Sequence, residues 1–122
     1  MAKTILIVED DEFFRGLITK KLSGEGFSVL SAPDGEKGIE KIREESPDLV
    51  LLDLLLPNVD GFGVLSKMKE NPATNKIPVI ILSNLGQAED IEKATKLGAN
   101  DFLVKAQFTA EEIIEKIKKI LA

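Results

Sequence analysis

Residues 47–57 read Pro47-Asp48-Leu49-Val50-Leu51-Leu52-Asp53-Leu54-Leu55-Leu56-Pro57. The run Leu49–Leu52 has no polar alternation, which is the pattern of a parallel strand buried on both faces. Asp53 ends the run. A carboxylate there is costly unless it sits at an exposed strand end, beside a partner or on a metal. The arrangement recurs. Ile5-Leu6-Ile7-Val8 leads into Glu9-Asp10-Asp11-Glu12, and Phe102-Leu103-Val104 leads into Lys105. If these runs are neighbouring parallel strands, their C-terminal ends meet at one edge of a sheet. Three carboxylates, Glu9, Asp10 and Asp53, then share a pocket with one ammonium.

Working outward, strand and helix patterns alternate five times along the chain. Strands are expected at Thr4–Val8, Phe27–Ser31, Leu49–Leu52, Val79–Leu82 and Phe102–Val104. In the first amphipathic stretch Phe14, Leu17, Ile18 and Leu22 fall on one stripe. The others span Gly35–Glu45, with Ile39 and Ile42 inward, then Gly63–Glu70, Ala88–Leu97 and Thr109–Leu121. Thr109 and Glu112 form a capping-box pattern at the start of the last. Glycine, proline and aspartate fall between these segments, where turns are needed. Strict alternation implies a doubly wound α/β/α fold. The flavodoxin-like strand order 2-1-3-4-5 is the natural choice for five strands, with ligands held at the carboxyl ends near strands 1 and 3. The acidic cluster and Asp53 end those two strands.

The chain has 122 residues, 43% hydrophobic and 30% charged, which suits a single domain over 1–122. No apolar run approaches a membrane span, and no signal peptide is visible, so a cytoplasmic location is expected. Cys and His are both absent. A metal must therefore be held by oxygen, which points to Mg²⁺, Mn²⁺ or Ca²⁺. The net charge of −5 argues against direct nucleic-acid binding.

Asp10 and Asp53 at one edge would repel each other unless a cation intervenes. Mg²⁺ resolves this, because it takes one or two carboxylates and leaves positions for phosphate oxygens. Lys105 adds a point charge suited to a phosphoryl oxygen. Ser83, at the end of the fourth strand, can donate its hydroxyl to another, and can equally cap the helix that follows, the two roles being compatible. These parts suit phosphoryl transfer. No Ser-His or Cys-His pair is available, so the plausible nucleophile is Asp53, giving an aspartyl phosphate. Asp11 and Glu12 are read as favouring the helix N-terminus.

The segments ILIVEDD (5–11), PDLVLLDLLLPNVDGF (47–62), IPVIILSN (77–84) and GANDFLVK (98–105) together resemble the receiver domain of two-component response regulators, chemotaxis receivers in particular. The resemblance covers the whole chain. It implies that Asp53 is the phosphoacceptor, that Asp10 ligates Mg²⁺ directly and Glu9 through water, and that the Leu55 backbone carbonyl completes the protein ligands. It makes Ser83 and Phe102 the switch pair and Lys105 the family's lysine. The donor it implies is a histidine kinase or a histidine phosphotransfer protein, with an output partner the sequence does not name. It describes a phosphoacceptor that assists its own transfer and dephosphorylation, not a turnover enzyme.

Three positions depart from the family pattern. Ala106 follows Lys105 where the family usually has a proline and a cis bond, so a trans bond and a rearranged loop are expected. Asn84 stands where a small residue is usual, and Leu55 is more apolar than many residues at its position. Leu55 and Leu85 flank the expected route of attacking water, and neither side chain can orient one, so the acyl phosphate is expected to be long-lived. Phe13 lies beside the apolar stripe of the first helix, next to Gly16, and the two are read as a partner-docking face. A phosphorylation-independent interaction module is the alternative. An FMN binder would need a hydroxyl- and glycine-rich loop after the first strand. A haloacid-dehalogenase-type phosphatase would need Asp-x-Asp there, and Glu12 breaks that pattern.

Overall fold

The computed structural model describes residues 2–122. Five strands, β1 (Thr4–Val8), β2 (Ser28–Ala32), β3 (Leu49–Leu52), β4 (Val79–Ser83) and β5 (Asp101–Val104), alternate with five helices. The helices are α1 (Glu12–Gly24), α2 (Gly35–Glu45), α3 (Gly61–Glu70), α4 (Ala88–Lys96) and α5 (Ala110–Leu121). The sheet is parallel throughout, in the order β2-β1-β3-β4-β5. This is the flavodoxin-like architecture expected from the sequence.

The unbroken apolar strands bury both faces. Ile5, Ile7, Leu49, Leu51, Ile80, Leu82 and Leu103 pack with Ile18 and Leu22 of α1 and Ile113, Ile114 and Ile117 of α5. The alternate residues Leu6, Val8, Val50, Leu52, Val79 and Ile81 pack with Ile42 of α2, Val64, Leu65 and Met68 of α3, and Ala94 of α4. The period-2 alternation of strand side chains thus splits one sheet between two cores.

Short polar side chains set the helix starts. Asp11 accepts from Phe14 N at 3.1 Å, Asp34 from Lys37 N at 2.8 Å and Asp60 from Gly63 N at 2.9 Å. Thr109 and Glu112 close the expected capping box. Several boundaries differ from expectation for identifiable reasons. Phe27 N–H bonds to Leu22 O at 3.2 Å and closes the end of α1, so β2 begins at Ser28 and runs to Ala32, opposite Val8. The Asp60 cap starts α3 at Gly61 rather than Gly63. Leu97 terminates α4 rather than continuing it. Asp101 pairs with Ile80 and lengthens β5. Leu17, expected on the inward stripe, is 40% exposed. It stands about 100° around the helix from Ile18, off the line through Phe14, Ile18 and Leu22. No helix among the described residues is long and apolar enough to cross a membrane.

Candidate phosphoryl and metal site

The sheet's hydrogen bonding runs one residue past the ends of β1 and β3. Glu9 N donates to Ala32 O and Asp53 N to Val8 O, each at 3.0 Å. Both carboxylates are therefore fixed at the edge by backbone, and both are buried, at 3% and 5% exposure. Lys105, just past β5, reaches across to them. Its Nζ donates to Glu9 Oε1 and to Asp53 Oδ2, the latter at 3.0 Å. The remaining oxygens are also engaged. Glu9 Oε2 accepts from Asp11 N at 3.0 Å, and Asp53 Oδ1 from Leu55 N at 3.2 Å. Arg15 Nη1 donates to the Glu9 backbone carbonyl at 2.7 Å, which ties the loop after β1 to α1.

Asp10 is exposed at the same edge. One carboxylate oxygen each from Glu9, Asp10 and Asp53 lies within 4.8 Å of the others. Three such oxygens with no nitrogen or sulfur donor fit a hard divalent cation. The charge balance favours one as well, because a single ammonium faces three carboxylates. Burial pushes the Glu9 carboxyl up from 4.5 to about 7, and the charge of Asp53 adds to the rise. The hydrogen bonds from Lys105 and Asp11 N–H work against it without cancelling it. Burial alone would lower the Lys105 ammonium, but its hydrogen bonds to Glu9 and Asp53 outweigh that and raise it. One cation shared between two carboxylates stays protonated while leaving Glu9 under-compensated.

Glycine shapes the loop beneath Asp53. A Cβ on Gly61 would stand 2.2 Å from Asp53 O and 2.6 Å from Leu54 Cα, so α3 starts directly against that backbone. Beside the carboxylates lies an open hollow of about 410 Å³, lined by Asp10, Leu55, Leu56, Asp60, Phe62 and Leu85 among others.

The remaining expected positions fall as follows. Ser83 is fully buried at the end of β4, and its Oγ accepts from Leu85 N at 3.3 Å. It does not cap α4: Gln87 stands at that N-cap and makes no side-chain capping bond. The turn after β4 takes up a lone pair of the hydroxyl locally, well before the cap position, and leaves its hydrogen to donate. Phe102 is partly buried against the core on the α2–α4 side. Leu55 is 54% exposed. Phe13 is 82% exposed and the surface over Gly16 is open. The Lys105–Ala106 bond is trans, and Lys105–Gln107 form a short 3-10 turn. Sequence reasoning missed three contributors: Arg15, Gly61 and the Phe14 ring, over which Lys105 Nζ sits 4.6 Å from the centroid. Only Gly61 left a signal, in the Asp60-Gly61 pair, and that signal read as a turn.

The family model described as "Response regulator receiver domain" matches residues 5–118. The chain belongs to the response regulator receiver domain family. It is 40% identical to the chemotaxis protein CheY of Bacillus subtilis, over 99% of both chains. It is 38% identical to RpaA of Synechocystis, a DNA-binding dual master transcriptional regulator, over 96% of this chain and 48% of RpaA. The chain thus spans about half the length of the transcriptional regulators it matches. Among solved structures it is similar to a CheY-like receiver domain protein from Methanospirillum hungatei, with a TM-score of 0.93 and 28% identity over 99% and 94% of the two chains. It is also similar to the response regulator Rcp1, solved in a Mn²⁺-bound form, with a TM-score of 0.80 and 30% identity over 89% and 85%. As a receiver domain of this type, the chain is a component of two-component phosphorelay signalling. Nothing in these likenesses favours the phosphorylation-independent alternative.

Proposed function

We propose that this receiver takes a phosphoryl group from a phosphohistidine onto Asp53, in the presence of Mg²⁺, and thereby switches a partner interaction. The observation that carries the reading is the setting of Asp53. It is buried, held by Leu55 N–H and Lys105, and faces two further carboxylates at the sheet edge. A carboxylate oxygen attacks phosphorus. The O–P bond forms as the N–P bond to the donor imidazole breaks, and the imidazole nitrogen takes up a proton from solvent. Lys105 shifts from Asp53 Oδ2 to an oxygen of the transferred group. The Ser83 hydroxyl donates to another, and its response, with that of Phe102, carries the state of the site to the partner. Preorganised donors of this kind are most of what phosphoryl transfer requires.

Asp10 and Asp53 would hold Mg²⁺, with the Leu55 carbonyl completing the set. Glu9, already engaged by Lys105 and Asp11 N–H, acts less directly. Mn²⁺ is an acceptable substitute for the same oxygen donors. When bound, the ion neutralises and orients phosphoryl oxygens. We read 1–122 as one cytoplasmic receiver domain that is no turnover enzyme and makes no direct nucleic-acid contact. Its donor is a histidine kinase or histidine phosphotransfer protein, docking over Phe13 and Gly16.

The deciding measurement is intact mass after treatment with acetyl phosphate and Mg²⁺. Wild type should gain one phosphoryl mass and lose it in base, as an acyl phosphate does. Asp53→Asn should gain nothing. Equal labelling of the two proteins overturns the assignment.

A further inference from the structure

We propose that Phe14 is a positioning residue for Lys105: its ring face holds the ammonium in the phosphoryl site while the ammonium changes partners. This rests on the reading of Asp53 as phosphoacceptor. Phe14 sits in the first turn of α1, where its N–H bonds to the Asp11 side chain, so the capped helix start fixes where the ring stands. The side chain packs into the core on the α1–α5 side. It also lines, with Glu9, Asp53 and Leu82, a narrow gap beneath the carboxylates. The ring's position therefore does not depend on Lys105. Lys105 depends on its surroundings, since its stem is long and the residues after it form only a short 3-10 turn.

The ammonium has three attractions, Glu9, Asp53 Oδ2 and the ring 4.6 Å away. The two hydrogen bonds are directional, and the one to Asp53 must break when an oxygen of the incoming group takes its place. The attraction of a ring face for a cation is broad and survives small lateral movement. It acts in a poorly solvated place, where Lys105 is only 12% exposed. The ring can thus hold the ammonium between its two hydrogen-bonded positions, when a strongly hydrated lysine head would otherwise swing toward water.

The test uses Phe14→Leu, which keeps most of the apolar volume and removes the ring, and Phe14→Tyr, which keeps the ring. The first readout needs no phosphorylation. In wild type and Phe14→Tyr, the Lys105 Cε protons should be shifted upfield by the ring, and in Phe14→Leu they should return to ordinary lysine positions. An unchanged shift in Phe14→Leu overturns the proposal. The second is the rate of labelling by acetyl phosphate with Mg²⁺. Phe14→Leu should be slower by about threefold to tenfold, and Phe14→Tyr close to wild type. In a Lys105→Gln background, Phe14→Leu should add no further slowing. Equal slowing in both backgrounds would mean that the ring only packs the core, which also overturns the proposal. If Lys105→Gln labels as fast as wild type, the role given to Lys105 fails, and with it the reason to position it. Loss of labelling in Asp53→Asn is scored separately, so the phosphoacceptor reading and the Phe14 proposal stand or fall on different samples.

Discussion

Glu9 is buried, carries half of the Lys105 ion pair, and titrates near neutrality. Its carboxyl is raised from 4.5 to about 7 in the folded protein, chiefly by burial. The folded state therefore holds this proton more tightly than the unfolded chain. The stability linked to it is fully present below about pH 4.5 and is lost as pH rises through about 7. The loss is on the order of 3 kcal/mol. Metal-free wild type should accordingly melt at lower temperature at about pH 8 than at about pH 5, and Glu9→Gln should show a smaller fall. Identical pH profiles for the two proteins would remove Glu9 as the cause. A cation at this edge must also compete with that proton, so Mg²⁺ affinity should rise with pH and level off above about 7. Calorimetry across that range checks it, and an affinity that falls with rising pH would contradict it.

The junction from β3 to α3 is the element that makes the site, because Asp53, Leu55 and Gly61 all lie on it. Gly61→Ala should destabilise the fold by about 1–3 kcal/mol, since the added carbon meets backbone rather than a yielding side chain. It should also weaken Mg²⁺ binding by displacing Asp53. Denaturant melts and metal titration test both, and a variant as stable and as tight as wild type would show that the junction has slack. Leu55 and Leu85 flank the hollow beside Asp10 from two different loops. Neither can orient a water, so Leu55→Asn and Leu85→Glu should each speed loss of the acyl phosphate, by about threefold or more. Unchanged decay would mean that these positions do not control it. The elements themselves were legible because an unbroken apolar run ending in an acid or a lysine has few other uses than a buried parallel strand with a functional end. The alternation implied a doubly wound sheet, for which 2-1-3-4-5 is the natural order with five strands. What stayed hidden depends on tertiary contact. Phe27 looked like a strand residue, yet its N–H closes α1. Ser83 read equally as a cap for α4 and as a donor to the phosphoryl group, but the cap position lies at Gln87. Phe14 read only as a stripe residue, because nothing local says that a lysine from the far end of the chain will come to rest on its ring.

On the scale of the whole molecule, a parallel sheet filled on both faces presents the carboxyl end of every strand to one side, and the site stands on that rigid edge. Exposed ion pairs, Lys21–Glu111 and Lys118–Glu25, join α1 and its end to α5 and contribute little each. The apolar surface is more informative. Phe13 is 82% exposed, Leu17 is 40% exposed four residues on, and Gly16 between them leaves the surface open. Residues four apart on a helix share a face, so these form one apolar strip running away from Asp10 and the phosphoryl edge. In the proposed reading the donor that brings a phosphohistidine to Asp53 docks along this strip, where an exposed aromatic beside a shallow surface suits a groove between two of its helices. Acetyl phosphate is too small to use it. Phe13→Ala should therefore slow transfer from the cognate kinase by about tenfold or more, as loss of an aromatic anchor does, and leave labelling by acetyl phosphate at the wild-type rate. Folding should be unaffected, because the side chain covers almost nothing of its own chain. Equal loss in the two assays would make Phe13 a structural residue, and equal retention in both would place the donor elsewhere on the edge.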